Sequence, residues 1–300
     1  MNSRTDEIAA KYLGKKTEGS YEYNPDFLVA VPREENRIHY NIDSSNLPFC
    51  GFDIWHSFEI SAMTEKSVPV TKILKIKYNC ENKYIIESKS LKLYLNSFNM
   101  RKIGSCRTEC LDICKKDIIN DLNSKLKTNT EIEFIDNNSK RLEIFKDFDD
   151  ITKYINEKEL NISKFKESPE LLKVELNETL SEYRLFFDSL RSNCRVTHQP
   201  DFGTVFIHYK SKKHIKESSL IEYLVSFRSE YHFHEECCEM IYKRLYDLLD
   251  KDDELMVCAL YTRRGGINIC PVRYSKNYKP DKNIENLLNT GVYAEYGLNL

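Results

Sequence analysis

Apolar and polar positions alternate in some blocks of the chain and recur at helical spacing in others. Residues 1–50 read as irregular, punctuated by Pro25, Pro32 and Pro48. After Gly51, Lys72–Tyr78 alternates in its second half and Lys83–Ile86 resumes beyond Cys80-Glu81-Asn82, which predicts a hairpin. Ser90–Phe98 has apolar residues at 91, 93, 95 and 98, a pattern that fits helix or strand. Leu111, Cys114, Ile118 and Leu122 step by three and four and predict a helix within 106–126. The Lys/Asn/Asp-rich stretch 127–165 predicts one strand, Glu131–Ile135, among loops.

The second half repeats the mixture. Leu176–Arg191 reads as helix or loop. Cys194–His198 predicts a strand, Gln199–Gly203 a turn and Thr204–Tyr209 the returning strand. Ser218 is expected to cap a helix through Leu220, Tyr223, Leu224 and Phe227, and 235–249 has strong helical spacing. Leu255–Tyr261 and Ile267–Arg273 predict a hairpin around Arg263-Arg264-Gly265-Gly266. Paired strands plus helices in each half predict an α+β protein, with a boundary near 165–190 and no repeat of fixed period.

Composition narrows the function. At 300 residues, two domains are expected. Net charge is −2, which argues against nucleic-acid binding through bulk positive charge. A hydrophobic content of 41% supports a real core. The N-terminal twenty residues are charged, and no run of about 18 apolar residues occurs, so a cytoplasmic chain without a membrane partner is expected. Ten cysteines are too sparse for a disulfide scaffold. Their expected state is reduced thiols, each catalytic, metal-binding or buried.

Three clusters carry candidate chemistry. Cys194 in Ser192-Asn193-Cys194 lies seven residues before Asp201, so a hairpin brings a thiol nucleophile near a proton donor. Arg191 and Arg195 are placed to lower the thiol's pKa; the plainer reading is a half-buried cysteine and a turn aspartate. His232-Phe233-His234-Glu235-Glu236 suits a polar heterocycle, because a carboxylate accepts from amidine-like N–H edges. The alternatives are a solvated helix start and, more weakly, zinc, for which no CxxC pairs exist. Glu87-Ser88-Lys89-Ser90-Leu91-Lys92-Leu93-Tyr94, with two lysines and two serines, and Arg263-Arg264-Gly265-Gly266 suit phosphates, although each also fits an ordinary surface or turn. Cys106, Cys110 and Cys114 fall along one helix face and read as a buried stripe rather than a metal site. Cys50, Cys80, Cys258, Cys270 and Trp55 read as core. No GxGxxG or GxxxxGK[ST] occurs.

Together these segments resemble the NADPH-dependent 7-cyano-7-deazaguanine reductase family in its long, bimodular form. The resemblance rests on Gly51-Phe52-Asp53-Ile54-Trp55, Glu87 through Asn99, Ser192-Asn193-Cys194, Thr197 through Asp201, Phe233-His234-Glu235 and Tyr261 through Gly266. It extends from Leu13-Gly14-Lys15 almost to the C-terminus and is loose over about 105–185. It implies two tandem tunnelling-fold modules, 1–180 and 181–300, each an antiparallel sheet with helices on one face. It implies reduction of a nitrile to a primary amine for tRNA queuosine, with two NADPH consumed and no metal. By resemblance Cys194 is the nucleophile and Asp201 the proton donor. Ile86, Glu87, Ser88, His234 and Glu235 match substrate residues, and Ser88, Lys89, Arg264 and Gly265 match NADPH contacts. A homodimer is implied, with a deazapurine and no nucleic acid as partner. The competing reading is another tunnelling-fold enzyme or binding protein for a pterin or purine.

Overall fold

Long strands with alternating burial build the frame of the protein, and the computed structural model describes residues 22–136, 144–156 and 162–289. The strands are β1 (Ala30–Pro32), β2 (Cys50–Met63), β3 (Pro69–Asn79), β4 (Tyr84–Ile86), β5 (Glu131–Ile135), β6 (Asp149–Asp150), β7 (Val174–Cys194), β8 (Pro200–Ile215), β9 (Tyr231–His232), β10 (Glu254–Tyr261) and β11 (Ile267–Tyr274). The helices are α1 (Glu34–His39), α2 (Ser88–Asn96), α3 (Arg107–Leu126), α4 (Glu217–Val225), α5 (His234–Leu248) and α6 (Lys282–Leu288). Nine strands form one sheet in the order β5-β3-β2-β11-β10-β8-β7-β6, with β9 also on β7. Pairing is antiparallel except for the short β6 and β9, which run parallel to β7. The fold is therefore α+β with a mixed sheet.

The two expected halves meet inside this sheet. Strand β11 pairs with β2 from Ile267–Ser57 to Tyr274–Cys50, so strands from opposite ends of the chain are neighbours. Odd-numbered positions of β10, β11 and the first half of β2 face α2–α5; a register shift after Ser57 puts the even-numbered Ile60 and Ala62 on that face instead. Trp55, Ile267 and Ile269 join the core under α2 and α3, while Leu255, Val257, Ala259 and Tyr261 join the core under α4 and α5. Even-numbered positions (Ile54, Met256, Cys258, Leu260, Cys270, Val272) face away and pack against Phe145, Phe148 and α6. Helices α2–α5 thus share one face, and α6 covers part of the other.

Several local expectations change. The hairpin expected over 72–86 does not form: β4 pairs with β1, and β3 with β2 and β5. The apolar run of β4 reaches a partner far upstream, which periodicity does not encode. Leu176–Arg191, read as helix or loop, lies within a 21-residue strand, Val174–Cys194, whose outer part is exposed, so its alternation is weak. The strand expected at Cys194–His198 ends at Cys194, and the turn lies at 195–199, with His198 at φ 56°. The ambiguous 90–98 segment is helix α2, because the Glu87 side chain accepts from the Lys89 and Ser90 amides and caps it. Ser218 lies inside α4 rather than capping it. Residues 22–50, expected to be irregular, hold β1 and α1.

Cys110, Cys114, Ile118, Leu122 and Leu126 form the buried stripe of α3, whereas Cys106 precedes the helix and is exposed. Cys80, Cys258 and Cys270 are buried, and Cys50 is half-buried. No helix among the described residues is long and apolar enough to cross a membrane. Leu13-Gly14-Lys15 and the rest of the N-terminal twenty residues lie outside the described residues.

Gly51 marks the tightest contact of the β2–β11 joint. Its φ is +150°, and a Cβ there would lie 2.0 Å from the Val272 carbonyl oxygen. Gly51→Ala is expected to destabilise the fold by about 2 kcal/mol or more through overpacking and backbone strain. Urea denaturation of the variant against the parent checks this.

Candidate active site

Strand register sets the first two groups. Ser192 pairs with Asp201 and Asn193 with Pro200, so Cys194, two residues beyond Ser192, shares a face with Asp201. The 195–199 turn closes through Cys194 N to Gln199 O at 2.8 Å and His198 N to Cys194 O at 2.9 Å. The other edge of β7 carries β9, with Cys194 opposite His232. Asn193 pins that junction: its amide Nδ2 donates to Arg228 O at 3.1 Å and Glu230 O at 3.3 Å, and its backbone N–H to Glu230 O.

Helix α5 starts immediately afterwards and brings His234 and Glu235 over the same face. Glu236 accepts from the Phe233 amide at 2.9 Å and from Arg195 Nη1 at 3.2 Å, which ties down the helix start. This start is buried, not solvated: Glu235 and Glu236 are both almost fully enclosed. The β10–β11 hairpin and the start of α2 supply the remaining walls.

The result is a cavity of about 350 Å³ lined by side chains from both halves. Cys194, Asp201, His234, Glu235, Ser88, Lys89, Arg264 and Gly265 all line it. Trp55, Lys92, Gln199, His232, Phe233, Ile267 and Ile269 complete it; Lys92, His232 and Phe233 stand in the candidate motifs, whereas Trp55, Ile267 and Ile269 carry no sequence signal beyond core. Trp55 is both core and wall; its Nε1 donates to Tyr78 OH at 3.1 Å. His232 stood in a motif already singled out, but only its pairing with Cys194 distinguishes it from a core histidine. Ile86 and Glu87 do not line the cavity. Ile86 packs in the core of α2 and α3, and the Glu87 carboxylate is turned onto the amides of Lys89 (3.0 Å) and Ser90 (2.7 Å). Burial nevertheless pushes the Glu87 carboxyl up.

Charge is unevenly distributed around the cavity. Burial alone would raise the Asp201 carboxyl, but His234 and Arg264 outweigh it and hold it below the usual range. His234 Nε2 lies 3.4 Å from Asp201 Oδ2, Arg264 Nη1 pairs with Oδ1, and the His234 ring stacks on Tyr261 at 3.9 Å. Arg264 also donates to Thr197 Oγ1 at 2.9 Å and to Gln199 Oε1, so it clasps the turn after Cys194. Burial and Asp53 push Glu235 up to about 8. Burial would lower His232, but hydrogen bonds to Glu230 and Glu236 raise it above its ordinary value.

The two arginines expected to serve Cys194 are committed elsewhere. Arg191 donates to Arg228 O and Asn193 Oδ1, and Arg195 pairs with Glu236. Among the described residues no group of three or more His, Cys, Asp or Glu is arranged to hold a metal ion. Cys237 and Cys238 are fully buried in the core of α4 and α5.

Arg264→Gln should leave Asp201 with His234 as its nearest counter-charge and raise its proton affinity. A carboxyl 13C NMR titration should place the Asp201 transition at higher pH than in the parent; an unmoved transition contradicts the assigned cause.

The whole chain was compared with known proteins. Residues 20–134 match the family model described as nitrile reductase, 7-cyano-7-deazaguanine-reductase N-term, and residues 200–280 match that of QueF-like protein. The chain is 38% identical over 273 residues to the NADPH-dependent 7-cyano-7-deazaguanine reductase of Colwellia psychrerythraea, covering 90% of this chain and 93% of that protein. It is 36% identical over 277 residues to the enzyme of that name from Rickettsia felis, covering 90% and 95%. It is 36% identical over 262 residues to that of Legionella pneumophila, covering 87% and 88%. The chain belongs to the NADPH-dependent 7-cyano-7-deazaguanine reductase family.

Proposed function

We propose that the cavity holding Cys194, Asp201, His234 and Glu235 is the active site of an NADPH-dependent reductase of 7-cyano-7-deazaguanine, serving queuosine formation in tRNA. The observation that carries this reading is their convergence on one cavity, with Ser88, Lys89, Arg264 and Gly265 on its wall. Glu235, beside His234 on the cavity wall, is the proposed acceptor for the N–H edge of the deazaguanine when ionised. Ile86 and Glu87 stay on the reading as substrate-wall residues by resemblance, adjacent to Ser88.

The donor set suits a phosphorylated nucleotide. Lys89, Lys92 and Arg264 are cationic wall residues from opposite halves, and Lys92 Nζ donates to Gly265 O at 2.5 Å, which joins the two sides. Ser88, Lys89, Arg264 and Gly265 are the proposed NADPH contacts. NADPH supplies hydride at the substrate carbon; converting a nitrile to a primary amine takes two hydrides, hence two NADPH.

The protein's own groups do the rest. The Cys194 sulfur adds to the nitrile carbon, one C–N π bond opens onto nitrogen, and the nitrogen takes a proton, giving a thioimidate. Asp201 is the proposed donor. Its pairing with Arg264 and His234 favours the ionised form, so donation requires the pairing with Arg264 to loosen. After the first hydride is delivered, the C–S bond breaks and returns the thiol. The enclosing walls keep water from the imine that results, which would otherwise hydrolyse to an aldehyde.

On this reading the chain comprises two tandem tunnelling-fold modules, 1–180 and 181–300, assembles as a homodimer and binds a free base rather than tRNA. Mixing the protein with 7-cyano-7-deazaguanine should oxidise two NADPH per amine formed, followed by absorbance. Cys194→Ala should lower turnover by about a thousandfold or more and remove the covalent adduct seen by intact-protein mass spectrometry. No NADPH oxidation by folded protein with intact substrate overturns the reading.

A further inference from the structure

Behind Glu235 lies a cluster of charges that the reaction as described does not use. Asp53 on β2 pairs with Arg33, which follows β1, and with Arg273 Nη2 on β11 at 2.8 Å. Glu239, one turn beyond Glu235 on α5, accepts from Arg37 Nη2 at 2.8 Å and Arg273 Nη2 at 3.0 Å. All five of these side chains are essentially closed to water. The guanidiniums push the Glu239 carboxyl down to about 2 against the effect of burial. Glu235 stands at the edge of this cluster, fully buried, with Oε1 lacking any hydrogen-bond partner.

The arrangement leaves Glu235 short of counter-charge. Asp53, Arg33, Arg273 and, from β3, Tyr78 act on it from the sheet side. Arg33 and Arg273 each pair with both Asp53 and Glu239, while Asp53 adds a like charge. On the cavity side the charged groups are Asp201, Arg264, Lys89, Lys92, His232 and His234. Asp201 and Arg264 are paired with each other. A buried carboxyl beside a carboxylate, with one oxygen left without a hydrogen-bond partner, holds its proton more tightly. A protonated carboxyl, however, offers one donor and one free acceptor. The guanine-like edge of a deazaguanine presents two N–H donors side by side and needs two acceptors. The proton must therefore leave for the base to be held.

We propose that docking of the deazapurine expels the proton of Glu235, and that Asp53 is the positioning residue that makes this necessary by occupying Arg33 and Arg273. This inference rests on the functional reading of Glu235 above. Ligand binding becomes proton-linked: below the transition of free Glu235, affinity rises about tenfold per pH unit, and above it affinity levels off. Removing the Asp53 charge frees two guanidiniums for Glu235 and moves the break to lower pH. Removing the Arg33 charge takes away one cation and moves it to higher pH.

The test is calorimetric titration of 7-cyano-7-deazaguanine into Cys194→Ala protein, which avoids the covalent step. It is run from about pH 6 to about pH 8.5 in buffers of different ionisation enthalpy. The proposal expects release of about one proton per ligand at the low end, falling toward none at the high end. Glu235→Gln should abolish that release, Asp53→Asn should shift the break down and Arg33→Gln should shift it up. A residue acting only as scaffold would move both variants the same way or neither. Binding without proton release, or with an unmoved break in both variants, overturns the proposal while leaving the functional reading intact. No binding by folded protein overturns the functional reading, and this inference with it. If Asp53→Asn fails to fold, the Arg33→Gln shift and the Glu235→Gln control still decide.

Discussion

A set of buried ion pairs at the β2–β11 joint organises this protein. Asp53, Glu239, Arg33, Arg37 and Arg273 come from β2, α5, the β1–α1 connection, α1 and β11, and solvent reaches none of them appreciably. Stranding one such charge costs about 3–5 kcal/mol, so the cluster is stable only when every element is in place. That makes it a condition on how the halves fit together. The Arg37 contact to Cys80 O at 2.8 Å carries the same condition to the end of β3.

The joint also explains how one cavity draws on distant parts of the chain. Once β2 and β11 are paired, Trp55, Ile267 and Ile269 share a face, and the Arg264–Gly265 turn between β10 and β11 meets Lys92 on α2. From the other side, β10 holds β8, β8 holds β7, and the end of β7 delivers Cys194. Apolar packing builds the walls, while a few polar contacts aim the functional groups. Asn193 anchors the 228–230 segment, Glu236 fixes the start of α5 and Arg264 clasps the turn after Cys194. These contacts are local and partly exposed at Arg264, so that end of the site is the easier one to rearrange.

The electrostatics follow the same division. Asp201 pairs with Arg264, which is partly exposed, whereas the charged groups behind Glu235 are fixed in the interior. Two carboxyls on one cavity are thereby pushed in opposite directions, one down by His234 and Arg264, the other up by burial and Asp53. Opposed carboxyl environments of this kind allow one group to stay ionised while its neighbour holds a proton at the same pH.

Much of this was legible in the residues alone. The mixed α+β content, helix α3 from its three- and four-residue steps, helix α5 and the β10–β11 hairpin follow from local pattern and spacing, and the motifs around Cys194 and Arg264 from the family resemblance. Local pattern also singled out His234 and Glu235. What it could not supply was partnership: that β4 turns away from β3 to join β1, that 174–194 is a strand, and that β2 and β11 fuse the halves into one sheet. Strand pairing depends on groups far apart in the chain, and an exposed strand loses the alternation that would reveal it. For the same reason the sequence singled out most of the polar groups that line the cavity, whereas tertiary structure alone decided which charges surround them. Arg191 and Arg195 flank Cys194 in the chain yet serve Arg228 and Glu236, while Asp53 and Arg33, far away in sequence, stand behind Glu235.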